Sequence, residues 1–223
     1  MMDRNRNLAM SASPPRCIVI GFGPCLGAAI ARRFATEGFA VTGLARDPAR
    51  HAGLAGPGVR LAAADAGNPA SLAAALASGA EVLVYNAYRA SIAMPGPSAL
   101  APADLAADFA INVTGALAAV QAVLPGMRAA GHGSLLLTGG GLALSPTHWL
   151  PAASLAVGKA GLRSLALTLH AELAPEGIHA ATVTVDGPVA PGTDFDPDRI
   201  ADSFWQLHRD PPGAFRAEVI FRG

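Results

Sequence analysis

Charge is what this 223-residue chain has least of: Asp, Glu, Lys and Arg make up 14% of it and balance to a formal net charge of zero. A neutral chain offers no electrostatic footprint for a nucleic-acid backbone or an anionic membrane surface, so neither is expected as a partner. Cysteine is scarce as well. Cys17 and Cys25 lie eight residues apart with no C-x-x-C or His-Cys cluster, which leaves no disulfide framework and points to a reduced, cytoplasmic setting. The six histidines show no paired spacing for a metal, and none is expected. Unbroken apolar runs are also missing. The longest charge-free stretches contain Pro125 and Gly126, or Gly139, Gly140 and Gly141 with Pro146 and Pro151, so no membrane-spanning helix is expected. Residues 1–15 hold Arg4 and Arg6 but no apolar run long enough for a signal peptide, and read as a flexible tail. There is no Gly-x-Ser-x-Gly elbow, so hydrolase chemistry has no footing.

What is there is apolar: 52% of the residues are hydrophobic, enough for one full core over residues 16–223. Short β-type runs alternate with alanine-rich helical segments. "CIVIGF", "AVTGLAR", "VRLAAAD", "EVLVYNA", "GSLLLTG" and "HAATVTV" read as strands. Between them, "LGAAIARRFATEGF", "PASLAAALASG", "DLAADFAINVTGALAAVQAVLPGMRAAG" and "LAVGKAGLRSLALTLHAELAPEGI" read as helices. Continuous apolar strands separated by helices predict α/β class: a single doubly wound parallel sheet, Rossmann-type, with helices on both faces. Near the end, Asp196 or Asp198 caps a predicted helix with Ile200, Phe204 and Leu207 on one face, and "AEVIF" closes the sheet.

"VIGFGPCLGAAIARRF" places Gly21, Gly23 and Gly27 between the first strand and the first helix, with Leu26 at the helix start. Glycines there allow a tight turn and let backbone N–H groups and the helix N-terminus approach a pyrophosphate. The spacing resembles the short-chain dehydrogenase/reductase family, whose loop runs Gly-x-x-x-Gly-x-Gly and whose members bind NAD(H) or NADP(H) on one Rossmann-type domain. Gly21 and Gly27 match its outer glycines, while Cys25 stands at the middle one.

Further positions follow in order along nearly the whole chain. Asp65 in "AADAGNP" matches the family's acidic residue near the adenine ring; its alternative is a helix-cap aspartate. Asn86 and Ala87 in "VYNAY" match the family's Asn-Asn-Ala-Gly after strand four, where Tyr85 and Tyr88 depart. Asn112 in "INVTGAL" matches an asparagine the family keeps in its long helix, and an amide among apolar residues demands a buried partner in any case. Gly187 lies near the family's Pro-Gly turn, in reversed order with Pro188. At the end of the second strand an acidic residue would bind a ribose 2′-hydroxyl and an arginine a 2′-phosphate. Arg46 comes first there and favours NADP(H), with NAD(H) the second choice.

The family's active machinery is a tyrosine four residues before a lysine, a serine after strand five, and an asparagine. Lys159 and Asn112 match; Leu155 stands at the tyrosine, and Gly139 and Gly140 at the serine pair. In the family that lysine also holds the nicotinamide ribose, so Lys159 reads first as a cofactor ligand. Ser154, Ser145, Thr147, His148 and Lys159 itself are the candidates for a replacement acid. The resemblance implies hydride transfer to or from a small carbonyl or alcohol; the alternatives are a non-catalytic dinucleotide sensor and an interaction module that has lost the nucleotide. It also implies a homodimer or homotetramer built through the two long helices. Trp149 and Leu150 are expected to pack, or by position to line the cleft.

Overall fold

The computed structural model describes residues 13–90 and 95–223; the predicted tail, residues 1–15, lies largely outside the described residues. β1 (Arg16–Ile20) leads through the glycine turn into α1 (Leu26–Thr36), then β2 (Ala40–Ala45), β3 (Val59–Ala63), α2 (Pro69–Leu76) and β4 (Val82–Tyr85). α3 (Pro102–Phe109) and α4 (Gly115–Ala130) follow, joined by one π-helical turn over Ala110–Thr114. The second half runs β5 (Gly133–Gly140), α5 (Ala153–Leu173), β6 (Ile178–Val185), α6 (Pro197–His208) and β7 (Glu218–Phe221). All seven strands pair in parallel, in the order β3-β2-β1-β4-β5-β6-β7.

Alternation along each strand divides the core in two. In β1, Ile18 and Ile20 face α2, α4 and α5, whereas Cys17 and Val19 face α1 and α6. Both sides are dry because the helices present alanine: Ala28, Ala29 and Ala31 of α1, and Ala116 and Ala119 of α4, are at most 2% exposed and let the helices approach the sheet closely. Asp196 caps α6, its carboxylate accepting from the Asp198 amide at 2.8 Å, which settles the choice between the two aspartates.

The helical rod Pro102–Ala130 is 29 residues long and, by length and composition, apolar enough to cross a membrane. Here 44% of its most apolar stretch is buried inside the fold, where Val120, Val123 and Met127 pack on the sheet, as in a core helix. Arg163 of α5 forks onto Glu218 of β7 at 2.8 and 2.6 Å, tying the last strand to the helix that carries Lys159.

Candidate functional site

Strand order reverses between β1 and β4, with β2 and β3 on one side and β5 to β7 on the other. At such a switch point the connections leave in opposite directions and open a crevice above the carboxyl ends of the strands. A cleft of about 1210 Å³ lies there, lined by Gly21, Gly23, Arg46, Asp65, Asn86 and Ala87, together with Tyr88.

Gly21 turns the chain at φ 84°, and a Cβ on it would stand 2.4 Å from the Ala87 nitrogen. Asn86 Nδ2 donates to the Gly21 carbonyl at 3.0 Å, so the loops after β1 and β4 are fastened together at the cleft floor. Gly27 lets α1 close on that turn: a Cβ there would lie 2.6 Å from the Gly21 carbonyl oxygen. Cys25, just before α1, has φ 66° and is the one non-glycine residue with positive φ among the described residues. Its thiol is exposed and makes no capping bond.

Past β2, Arg46, Arg50 and His51 line one end of the cleft. Asp65 lines it too, its carboxylate accepting from the Gly67 amide at 2.9 Å. The cap of α2 is Asn68, which accepts from the Ala70 and Ser71 amides at 3.0 and 3.2 Å, so Asp65 is no helix cap.

Lys159, the only lysine of the chain, is buried on α5. Its Nζ donates to the Thr138 carbonyl at 2.8 Å and stands 5.6 Å from the centre of the Tyr88 ring. Burial strips water from the ammonium and lowers its pKa from 10.5 to about 8. The Lys159 stem runs past Gly140, where an added Cβ would meet three of its methylenes at 3.5 Å, ordinary contact. At Gly139 a Cβ would collide with Thr184 Oγ1 at 2.6 Å, so of the two glycines only position 140 has room for a side chain. Leu155, one helical turn before Lys159, is half-buried.

Asn112, 1% exposed, sits in the π turn. Its amide makes both backbone bonds of one residue: Oδ1 accepts from the Arg89 N–H at 2.7 Å and Nδ2 donates to the Arg89 carbonyl at 2.8 Å. The buried partner that its apolar surroundings demand is therefore backbone. The same turn brings the Ile111 carbonyl to the Tyr85 hydroxyl, which donates to it. Such widened turns concentrate at functional sites because they re-aim side chains that a regular helix would stack. Beside it, Arg89 pairs with Asp108, and Ser154 Oγ donates to the other oxygen of that buried carboxylate.

The model of the family described as short chain dehydrogenase matches residues 16–197. The chain belongs to that family. No curated protein matches it in sequence. Among solved structures, this short-chain dehydrogenase is similar to a metagenomic short-chain oxidoreductase in complex with NADP, with 26% identity and a TM-score of 0.81 over 93% of this chain and 96% of the other. A short-chain dehydrogenase from Rhodopseudomonas palustris has 26% identity and a TM-score of 0.81 over 93% and 98%. An oxidoreductase of the family from Burkholderia thailandensis has 28% identity and a TM-score of 0.81 over 94% and 91%.

Not every predicted residue of this dehydrogenase reaches the cleft. Leu26 is buried in the core beneath α1. Gly187 is covered by the Phe195 ring, which a Cβ there would meet at 2.2 Å. Trp149 and Leu150, expected to pack, are 49% and 51% exposed and do not line the cleft; the loop carrying them runs across the surface. His148 is exposed on that loop, and the Ser154 hydroxyl is committed to Asp108. Sequence reasoning missed the Arg89–Asp108–Ser154 cluster. Its signal was an aspartate inside a long apolar helix, where a carboxylate persists only if paired.

Proposed function

We propose that this short-chain dehydrogenase is an NADP(H)-dependent oxidoreductase acting on a small carbonyl or alcohol, with an active site lacking the tyrosine and serine its family uses. The observation that carries the reading is the cleft at the β1–β4 switch point, lined by Arg46 and Tyr88, with the buried Lys159 ammonium against the Tyr88 ring. The residues present fit a dinucleotide. Gly23 leaves the loop open, since a Cβ there would meet nothing nearer than the His51 ring at 3.8 Å. Backbone N–H groups of the Gly21–Gly27 turn and the α1 N-terminus would hold the pyrophosphate. Arg46 would take the 2′-phosphate, with Arg50 and His51 beside it, and Asp65 the adenine side; NAD(H) is the second choice.

Bound there, NADP(H) supplies or accepts a hydride. Asn86 and Ala87 would border the nicotinamide end, and Lys159 would donate to its ribose hydroxyls while keeping its bond to Thr138. Asn112 acts through Arg89, holding the segment after β4 against the cleft. With a pKa of about 8, Lys159 stays mostly charged at neutral pH, as a ribose ligand requires.

Calorimetric titration with NADPH and NADH side by side tests the reading. Micromolar NADPH binding, weakened by about tenfold or more in Lys159→Ala, is the expected result; absence of binding to either nucleotide overturns it. Because Lys159 is the sole lysine, reductive methylation followed by mass spectrometry reports it directly. NADPH should slow the labelling.

A second reading, a dinucleotide-binding sensor without turnover, is favoured by Leu155 and Gly140 and by the strained Cys25. Nucleotide binding with no carbonyl reduced across a substrate panel would select it. In either reading the shallow apolar groove of Leu105, Phe109, Thr114 and Val157 is the surface for a second copy of the chain.

A further inference from the structure

Two phenols exist in this chain, and the structure separates them. Tyr85 is buried, with its hydroxyl bonded to the Ile111 carbonyl. Tyr88, three residues later, is 65% exposed and lines the cleft. Its neighbours in the chain are both pinned. Ala87 packs against Gly21 so closely that no side chain fits between them, and Arg89 is held at both N–H and C=O by Asn112. Tyr88 is thus a fixed backbone position carrying an exposed ring. That ring lies over the Lys159 ammonium, 5.6 Å from Nζ to ring centre, within reach of a cation–π contact. No other phenol stands at the cleft among the described residues, and Leu155 and Gly140 bring no hydroxyl to it.

We infer that Tyr88 is the proton donor of this active site, a phenol supplied from the loop after β4 to the lysine that has lost its partner on α5. The inference rests on the oxidoreductase reading. In the reducing direction the carbonyl carbon gains the hydride that NADPH gives up, forming a C–H bond as the C=O π bond opens. The carbonyl oxygen takes the Oη proton of Tyr88, and the products are the alcohol and NADP⁺. The phenolate regains its proton from water at the exposed edge of the ring, and Lys159 holds positive charge where negative charge develops. The lysine is suited to this: desolvated, it keeps a proton at neutral pH yet can pass one on.

Tyr88→Phe keeps the ring and its contact with Lys159 and removes only the hydroxyl. In a carbonyl-reduction assay it should lower kcat by about 10²- to 10⁴-fold, while calorimetric NADPH binding stays within about twofold. Tyr88→Phe combined with Leu155→Tyr should recover part of that loss by returning a phenol to the lysine from α5. Wild-type turnover unchanged in Tyr88→Phe overturns the inference and leaves the oxidoreductase reading standing. NADPH binding without wild-type turnover also overturns it, and a protein that does not bind NADPH at all fails at the earlier reading instead. A readout without cofactor or substrate is nitration by tetranitromethane, which attacks the phenolate form. Mapped by mass spectrometry, nitration should fall on Tyr88 and spare buried Tyr85; equal labelling of the two would remove Tyr88 as the phenol presented to the cleft.

Discussion

Cys25 holds a φ of 66° with ψ −123°, a conformation glycine adopts freely and a side chain resists. Strain of this kind costs about 1–3 kcal/mol, whereas glycine's extra freedom in the unfolded chain costs about 0.5–1 kcal/mol. The first effect wins, so Cys25→Gly should raise stability by about 1 kcal/mol, read as a higher urea midpoint at unchanged slope. The same change should tighten dinucleotide binding by clearing the turn where backbone would approach phosphate; an unchanged dissociation constant would separate strain from function. Lys159 is the complementary case. The other basic side chains among the sixteen Lys and Arg residues are arginine, and at this position alone the chain uses an ammonium. A guanidinium stays charged at any accessible pH, while an ammonium yields to desolvation and can move a proton. Asn112 and Lys159 were legible in the sequence as polar groups on apolar helices, but their partners, the Arg89 backbone and the Thr138 carbonyl, were not.

At the scale of elements, the rod from α3 to α4 has one turn that the hydrophobic pattern does not reveal. Apolar periodicity runs through Ala110–Thr114 as if the helix were regular, yet the turn is π-helical and aims Asn112 at the β4 loop. The Asp108 carboxylate at the end of α3 joins three elements, taking Arg89 from that loop and Ser154 from the start of α5. Its side chain is fully buried while that of Arg89 is 36% exposed. Removing the Asp108 charge leaves a guanidinium that water already reaches, so the loss is that of charge-assisted hydrogen bonds, about 1.5–3 kcal/mol each. Asp108→Asn, which keeps the volume and some acceptor capacity, should cost about 3 kcal/mol in urea unfolding. Because the cluster holds the segment bearing Tyr88, it should also lower kcat more than it weakens NADPH binding.

For the whole molecule, stability should depend on pH through histidines at the sheet end opposite the cleft. Burial, with the nearby Arg209 and His179 charges, holds His208 down from 6.5 to about 4, and its Nδ1 shares a 2.9 Å hydrogen bond with Ser134. His179, stacked on Phe215 at 4.4 Å, is lowered by burial too. Between about 4 and 6.5 the unfolded chain binds the proton that the folded His208 refuses. Stability is therefore complete above pH 6.5 and falls as pH drops toward 4. The melting temperature should decrease from pH 7 to pH 5, and His208→Gln should flatten that slope. Sedimentation at micromolar concentration should give a dimer or larger, with Phe109→Glu on the apolar groove shifting it toward monomer; a wild-type monomer would count against that surface. The doubly wound sheet, the glycine turn and the positions of Asn112 and Lys159 were determined by the sequence alone, because strand and helix periods and local turn chemistry act over a few residues. Which side chains meet was decided only by tertiary structure. Tyr88 and Lys159 are 71 residues apart in sequence, and only the crossing of the β4 loop with α5 brings an ammonium to the face of a phenol.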